Sequence, residues 1–83
     1  MKLVYFARVR EAVGIDAEER ELPANVQTVG DCIVWLTSRD QNYAAAFADP
    51  SRLRFALDQQ MVSEDTLLEG ASELAIFPPV TGG

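Results

Sequence analysis

No histidine occurs among the 83 residues, and cysteine occurs once. The first absence removes the usual general base at neutral pH and the commonest metal ligand. The second excludes an internal disulfide framework, and a lone thiol without partner ligands cannot assemble a zinc site. Long apolar runs are missing too. No stretch approaches the roughly 20 residues that span a bilayer, and the N-terminus opens on a strand-like run rather than a signal peptide. Basic charge is scarce, with 7 Lys and Arg against 13 Asp and Glu, a net charge of −6 and a pI near 4.4. Nucleic acid and anionic membranes are therefore poor partners, and a basic protein surface is the better expectation. Together these absences argue against autonomous catalysis and for a carrier or binding role in a reducing cytoplasm.

What is present is enough for one domain with a modest core. Lys2 to Val9 reads as a strand with apolar residues on both parities. Gly14-Ile15-Asp16 supplies a turn, and Ala17 to Leu22 reads as a solvated edge strand whose Glu18-Glu19-Arg20-Glu21 discourages unwanted pairing. A helix follows Thr28, which can cap it, with Asp31 at the positive end of its dipole. Val29, Cys32, Ile33 and Leu36 form its apolar stripe, while Gly30 weakens the first turn. On that stripe Cys32 reads as a small buried hydrophobe, not a sulfur carrier.

Tyr43 to Ala48 predicts a short helical turn, and Leu53 to Leu57 a strand. Asp58-Gln59-Gln60 turns into a short strand at Met61-Val62, and Ser63 to Glu69 is a loop holding Leu67 and Leu68 against the core. Gly70 turns the chain into the last strand, where Leu74 and Ile76 share one face and Ala75 and Phe77 the other. The layout is α+β, a helix against one face of a sheet. If the helix covers one sheet face, Phe6 and Phe77 cannot both find cover in so small a monomer and predict an exposed apolar patch of the kind that marks a protein interface; the alternative is burial under the 43–48 segment.

The chain ends Phe77-Pro78-Pro79-Val80-Thr81-Gly82-Gly83. Two prolines forbid helix and favour an extended course. Six stretched residues reach roughly 20 Å. Gly82 and Gly83 carry no Cβ, so their backbone can enter a slot closed to any other residue. The group delivered at its end is a bare α-carboxylate. A Gly-Gly ending alone arises by chance in about 0.5% of chains, so the inference needs the rest of the sequence.

That support comes from Phe6-Ala7-Arg8-Val9-Arg10-Glu11 with Val13-Gly14, from Thr28-Val29 and from residues 77–83. With these motifs the chain resembles the small, sulfur-carrying subunits of molybdopterin synthase, within the ubiquitin-like sulfur-carrier family. The resemblance covers essentially the whole length. It implies a β-grasp fold over residues 1–77, a mixed sheet with one main helix on one face, and an extended tail over 78–83. It also implies that an ATP-dependent adenylating enzyme activates Gly83 and that a sulfur donor protein converts it to a thiocarboxylate. The loaded tail then delivers sulfur inside the large catalytic subunit, in a heterotetramer where this chain is carrier and not catalyst. No cofactor or metal is bound on that reading, and ATP is used by the adenylating partner. The resemblance carries over Phe6, Arg10, Met61 and Phe77 as partner contacts, with Pro78, Pro79, Val80, Thr81 and Gly82 positioning Gly83.

One departure stands before the last strand. The family tends to carry Asp-Gly-Asp-Glu, aligned here with Gly70-Ala71-Ser72-Glu73, so Gly70 is expected to supply any positive φ that Ala71 would resist. Sister carriers for thiamine or tRNA thiolation share the same terminal chemistry, and a ubiquitin-like protein modifier or a binding module with an inert tail is a further alternative. Lys2 is the only lysine, which argues against lysine-linked polymers but permits single conjugation.

Overall fold

A computed structural model describes residues 1–80 of the chain. Five strands form one mixed sheet in the order β2-β1-β5-β3-β4. The strands are β1 (Lys2–Tyr5), β2 (Ala17–Glu19), β3 (Arg54–Leu57), β4 (Gln60–Val62) and β5 (Glu73–Phe77). The helices are α1 (Ala7–Val13), α2 (Val29–Thr37) and α3 (Gln41–Ala46), with a single 3-10 turn at Pro50–Arg52. β1 and β5 run parallel at the centre, and every other pairing is antiparallel. This is the β-grasp arrangement, with α2 as its main packed helix.

Register decides what is buried. Leu3 pairs with Leu74 and Tyr5 with Ile76, while Ile76 faces Phe55 and Leu74 faces Leu57 across the β3 side. Alternation puts these six on one face. There they meet Val29, Cys32, Ile33 and Leu36 of α2, Val9 and Val13 of α1, and Tyr43 and Phe47 at α3. The expected stripe on α2 is therefore the buried one. Its Thr28–Asp31 capping box forms in full, with the Asp31 N–H donating to the Thr28 hydroxyl at 3.0 Å. Cys32 is fully buried, and that burial pushes its thiol up to about 12, leaving it inert at neutral pH.

Four local expectations change. The first strand stops at Tyr5, and residues 7–13 are helical. Ala7 makes the switch at φ 52°, a left-handed conformation that an alanine adopts only under constraint. No glycine or proline marks the joint, so the sequence reads as continuous strand. The second strand ends at Glu19, not Leu22, and its charged run is not uniformly solvated. Glu18 lies opposite Leu3 on the core side, where its carboxylate accepts from the hydroxyls of Tyr5 (2.7 Å) and Tyr43 and from Nε of Arg20 (2.8 Å). α3 starts at Gln41, capped by Asp40, and Gln60 opens β4.

Gly30 has a packing reason that no propensity reveals. A Cβ there would sit 3.3 Å from the Glu64 carbonyl oxygen, which accepts the Gly30 N–H at 2.8 Å. The 63–69 loop is tied to the start of α2 through that bond, through Val29 to Thr66 and through the Thr28–Leu67 bridge. Leu68 is buried as expected, but Leu67 is exposed. The turn before β5 follows expectation: Gly70 takes φ +83° and Ala71 has no positive φ.

Two stability outcomes follow. Gly70→Ala should cost about 1–2 kcal/mol although a Cβ meets nothing within 4 Å, because the penalty is conformational. In a domain this size that lowers Tm by roughly 4–8 °C per kcal/mol, and an unchanged melt would contradict the assigned φ. Glu18 gives the second. Partial burial opposes its charge, but hydrogen bonds from Tyr43, Tyr5 and Arg20 outweigh it and hold the carboxyl below its ordinary value of 4.5. A depressed folded pKa contributes stability that is present above the unfolded value and lost as pH falls through the folded one. Glu18→Gln should therefore lower stability at pH 7 by about 1–2 kcal/mol and flatten the loss below about pH 4.5. Parallel acid limbs for the two proteins in denaturant titrations would refute this.

Candidate functional site

The second face of the sheet has no helix on it. Alternation from the same register places Val4, Ala75, Ala56 and Met61 across it in one row, since Val4 pairs with Ala75, Ala75 with Ala56 and Ala56 with Met61. Ala56 and Ala75 make a floor of small side chains, and Met61, 65% exposed, stands at one side. At the other side stand the two phenylalanines. Their rings meet edge to face, with centroids 6.4 Å apart at 83°, a favoured aromatic geometry. Phe6 remains 47% exposed and Phe77 is half-buried.

Three of the four residues expected on the partner surface, Phe6, Met61 and Phe77, thus share one uncovered apolar face. Arg10 comes from a different element. It is exposed on α1, one helical turn after Phe6, and its backbone N–H bonds the Phe6 carbonyl at 3.2 Å. Sequence reasoning put Ala75 on the Phe77 face of the last strand but did not name Val4, Ala56 or Ala75 as part of the surface. Small and β-branched residues read as ordinary strand filling, and only the register shows them joined into the floor between the aromatic pair and Met61.

The tail leaves from the end of β5, the central strand, directly beyond Phe77. Pro78 and Pro79 are half-buried against the domain, and Val80 is 88% exposed. Thr81, Gly82 and Gly83 lie outside the described residues, so the expected reactive terminus does too. Beside the tail root, Pro78 lines a hollow of about 180 Å³ with Arg8 and Arg52. A larger hollow, about 640 Å³, lies at the opposite end of the sheet near Met1, Leu22 and Leu67. It contains no arrangement of nucleophile and base, and its lining is mostly apolar. Among the described residues no three His, Cys, Asp or Glu side chains cluster to hold a metal ion, and no helix is long and apolar enough to cross a membrane.

The site is therefore an apolar face with residues 78–80 leaving from its edge, and known proteins resemble the chain in both fold and sequence. The ThiS family model matches residues 3–83. A molybdopterin synthase sulfur carrier subunit from Escherichia coli (strain K12) is 40% identical over 83 residues, covering 100% of this chain and 99% of that protein. The structure of a putative molybdopterin converting factor, subunit 1, from Pyrococcus furiosus superposes with a TM-score of 0.73 at 32% identity, covering 95% of each chain. Small archaeal modifier protein 1 from H. volcanii superposes with a TM-score of 0.72 over 96% of this chain and 97% of that one, but at 20% identity it shares the fold alone. With a family match that runs from the first strand through the terminal glycine, this chain belongs to the ThiS family.

Proposed function

We propose that this chain is a sulfur carrier in molybdopterin biosynthesis, delivering sulfur from a thiocarboxylate at Gly83 to the active site of a large synthase subunit. The observation that carries the reading is the exit of the tail from β5 beside the uncovered face. Docking of that face and insertion of the tail then become one event. Similarity to sulfur carrier subunits of molybdopterin synthase supports the choice of pathway over the sister carriers.

The chemistry follows from what a carboxylate lacks. As an anion it is a poor electrophile, so the Gly83 carboxylate first attacks the α-phosphorus of ATP, releasing pyrophosphate and leaving an acyl-adenylate. Sulfur at the sulfide level, released by a sulfur donor protein, attacks the acyl carbon and displaces AMP, and the product is a thiocarboxylate. A thioacid is more acidic than a thiol, whereas cysteine, with a pKa near 8.5, is mostly protonated at neutral pH. The loaded terminus is thus an anionic nucleophile without help from any base on this chain, which has no histidine to offer. Acid–base groups at the acceptor belong to the large subunit. The carrier contributes position: Phe6, Phe77 and Met61 anchor the complex, Arg10 contacts the partner beside them, and Pro78 through Gly82 span the distance to the reacting atom.

Protein taken from cells with the loading system intact should contain a fraction heavier by one sulfur in place of one oxygen, located on Gly83 by C-terminal peptide spectra. Sulfur on Cys32 with Gly83 always a plain carboxylate would sink the mechanism, and isopeptide-linked Gly83 would favour a modifier. Phe77→Ala should weaken binding to the large subunit by about 1.5–3 kcal/mol, as loss of a central aromatic anchor does. Its thermal melt should change less, since Phe77 lies on the face away from the helices; a collapsed melt with unchanged binding per folded molecule would make it core. Deleting Gly83 should spare both melt and docking yet abolish transfer. The reacting atom would fall roughly 3.3–3.6 Å short, and a 1 Å misplacement can already cost about a hundredfold. The assay is dithiolene formation from chemically loaded variants, which bypasses adenylation, and substantial activity from the shortened tail would overturn the positional argument.

A further inference from the structure

The net charge of −6 conceals a polarity along the strands. Four of the seven cationic side chains, Arg8, Arg10, Arg52 and Arg54, belong to elements that meet where β5 ends. α1 starts just after Phe6, whose N–H bonds the Ile76 carbonyl at 3.2 Å, and this brings Arg8 and Arg10. The 3-10 turn Pro50–Arg52 leads into β3, whose first residue, Arg54, pairs with Phe77. Arg8 and Arg52 share the hollow beside Pro78, on a lining that includes Ala12 and Ala45. All four arginines are exposed, and among the described residues none is in a salt bridge, whereas Arg20 is paired with Glu18 at 2.8 Å.

The neighbouring acids do not neutralise this collar. Asp49 lines the same hollow, but its carboxylate is turned onto the N–H and hydroxyl of Ser51, at 3.1 and 2.6 Å. Glu11 is exposed on α1, and Glu64 lines a second hollow with Arg54 without a salt bridge to it among the described residues. Arg54 is held in place by the carbonyls of Ser51 and Leu53, at 3.2 and 2.8 Å, both reached by Nη1 alone. The rest of its five-donor fork is available for a partner. Acids gather instead where β1 and β5 begin. Glu19 holds the N-terminal ammonium at 2.8 Å, Asp58 accepts from the N–H groups of Ser72 and Glu73, and Glu21 and Glu69 line the large hollow.

We propose that this cationic collar at the tail root recognises an acidic rim around the tail inlet of the large synthase subunit, so that the carrier docks tail first. The proposal rests on the functional reading above. Overall acidity favours a basic surface at long range, but at contact only charges within about 8 Å, the Debye length at physiological ionic strength, still act. At the tail root the arginines outnumber the acids, four against Asp49 and Glu64 in the hollows they line and Glu11 on α1. Exposed like charges repel one another in the free carrier, and carboxylates placed between them remove that repulsion while forming charge-assisted, fork-shaped hydrogen bonds. Complementary rim charge of this kind acts on orientation and on-rate more than on final affinity.

The test is stopped-flow association of the full chain with the purified large subunit over a range of NaCl concentrations. The Arg8→Ala/Arg52→Ala variant should associate about tenfold more slowly at low salt and show a flatter salt dependence, with dissociation changed less. Arg8→Glu/Arg52→Glu should be slower still. Arg39→Ala removes a cation that sits 5.4 Å from the Trp35 ring, away from the collar, and should change the rate by less than about twofold. Thermal melts of each variant confirm that folded carrier is being compared. Unchanged rates and salt slopes in the neutralised variant, or faster association of the charge-reversed one, would overturn the acidic rim while leaving the carrier function intact. Loss of binding to the adenylating enzyme with full binding to the large subunit would likewise overturn the assigned partner. A wild-type chain that does not bind the large subunit at all would overturn the functional reading, and the rim with it.

Discussion

The parallel pairing of β1 with β5 sets almost everything else. Two strands running the same way must end at the same edge, so the chain leaves β1 into α1 at the point where β5 releases the tail. Phe6 comes to lie against Phe77 for that reason, from positions 71 residues apart in the chain. The arginines of α1 arrive at the tail root with it. An antiparallel pairing would have sent Phe6 and α1 to the far end and left the tail without its aromatic neighbour. The same pairing makes β5 a central strand, bonded on both sides, so the segment before the tail is among the hardest to displace.

The polar network around Glu18 complements this at the edge of the sheet. β2 is only three residues long and exposes one side to solvent, a weak element by itself. Glu18 ties it inward to Tyr5 on β1 and Tyr43 on α3. Arg20 adds a bond to the Tyr43 hydroxyl at 3.0 Å and lies 5.7 Å from the ring centroids of both Trp35 and Tyr43. Burial, followed by the bond to Glu18, pushes the Tyr5 phenol well above its usual range, so it stays a donor under all ordinary conditions. Polar groups at this depth are tolerated because each is satisfied, and no buried side-chain polar atom among the described residues lacks a partner.

Legibility in the sequence followed the strength of local physical signals. α2 was readable to its first residue because a capping pair and an apolar stripe agreed there. Gly70 was readable because an aligned alanine would have resisted positive φ. α1 was not, although Val9 and Val13 sit four apart and Gly14 closes the helix at φ 96° in the left-handed region, a signature that could have revealed it. The β-branched and aromatic content of residues 2–9 spoke louder, and the switch at Ala7 depends on tertiary packing. The inward turn of Glu18 and Arg20 was hidden because a run of charges looks solvated until alternation across a paired strand is applied. At the candidate site, exposure of Phe6 was foreseeable from count alone, since one helix cannot cover two faces, whereas Phe77 is half-buried beside it. The floor of Val4, Ala56 and Ala75 needed register, and the arginine collar needed topology, because its members come from three separate elements.

Separation of the two sheet faces lets stability and delivery be altered independently. The helix side holds the large buried side chains, Tyr5, Leu3, Leu36, Leu74 and Ile76 among them, and its loss would unfold the domain. The other side holds the small, buried Ala56 and Ala75 with Phe6 and Met61 exposed to either side, 47% and 65%. β5 belongs to both, with Leu74 and Ile76 facing inward and Ala75 and Phe77 outward on alternate positions. One strand therefore anchors in the core, contributes to the second face and leads into Pro78. Hydrogen bonds to β1 and β3 on either side hold the strand from which residues 78–80 leave. If the tail delivers sulfur as proposed, this anchorage in the sheet fixes the point from which it starts.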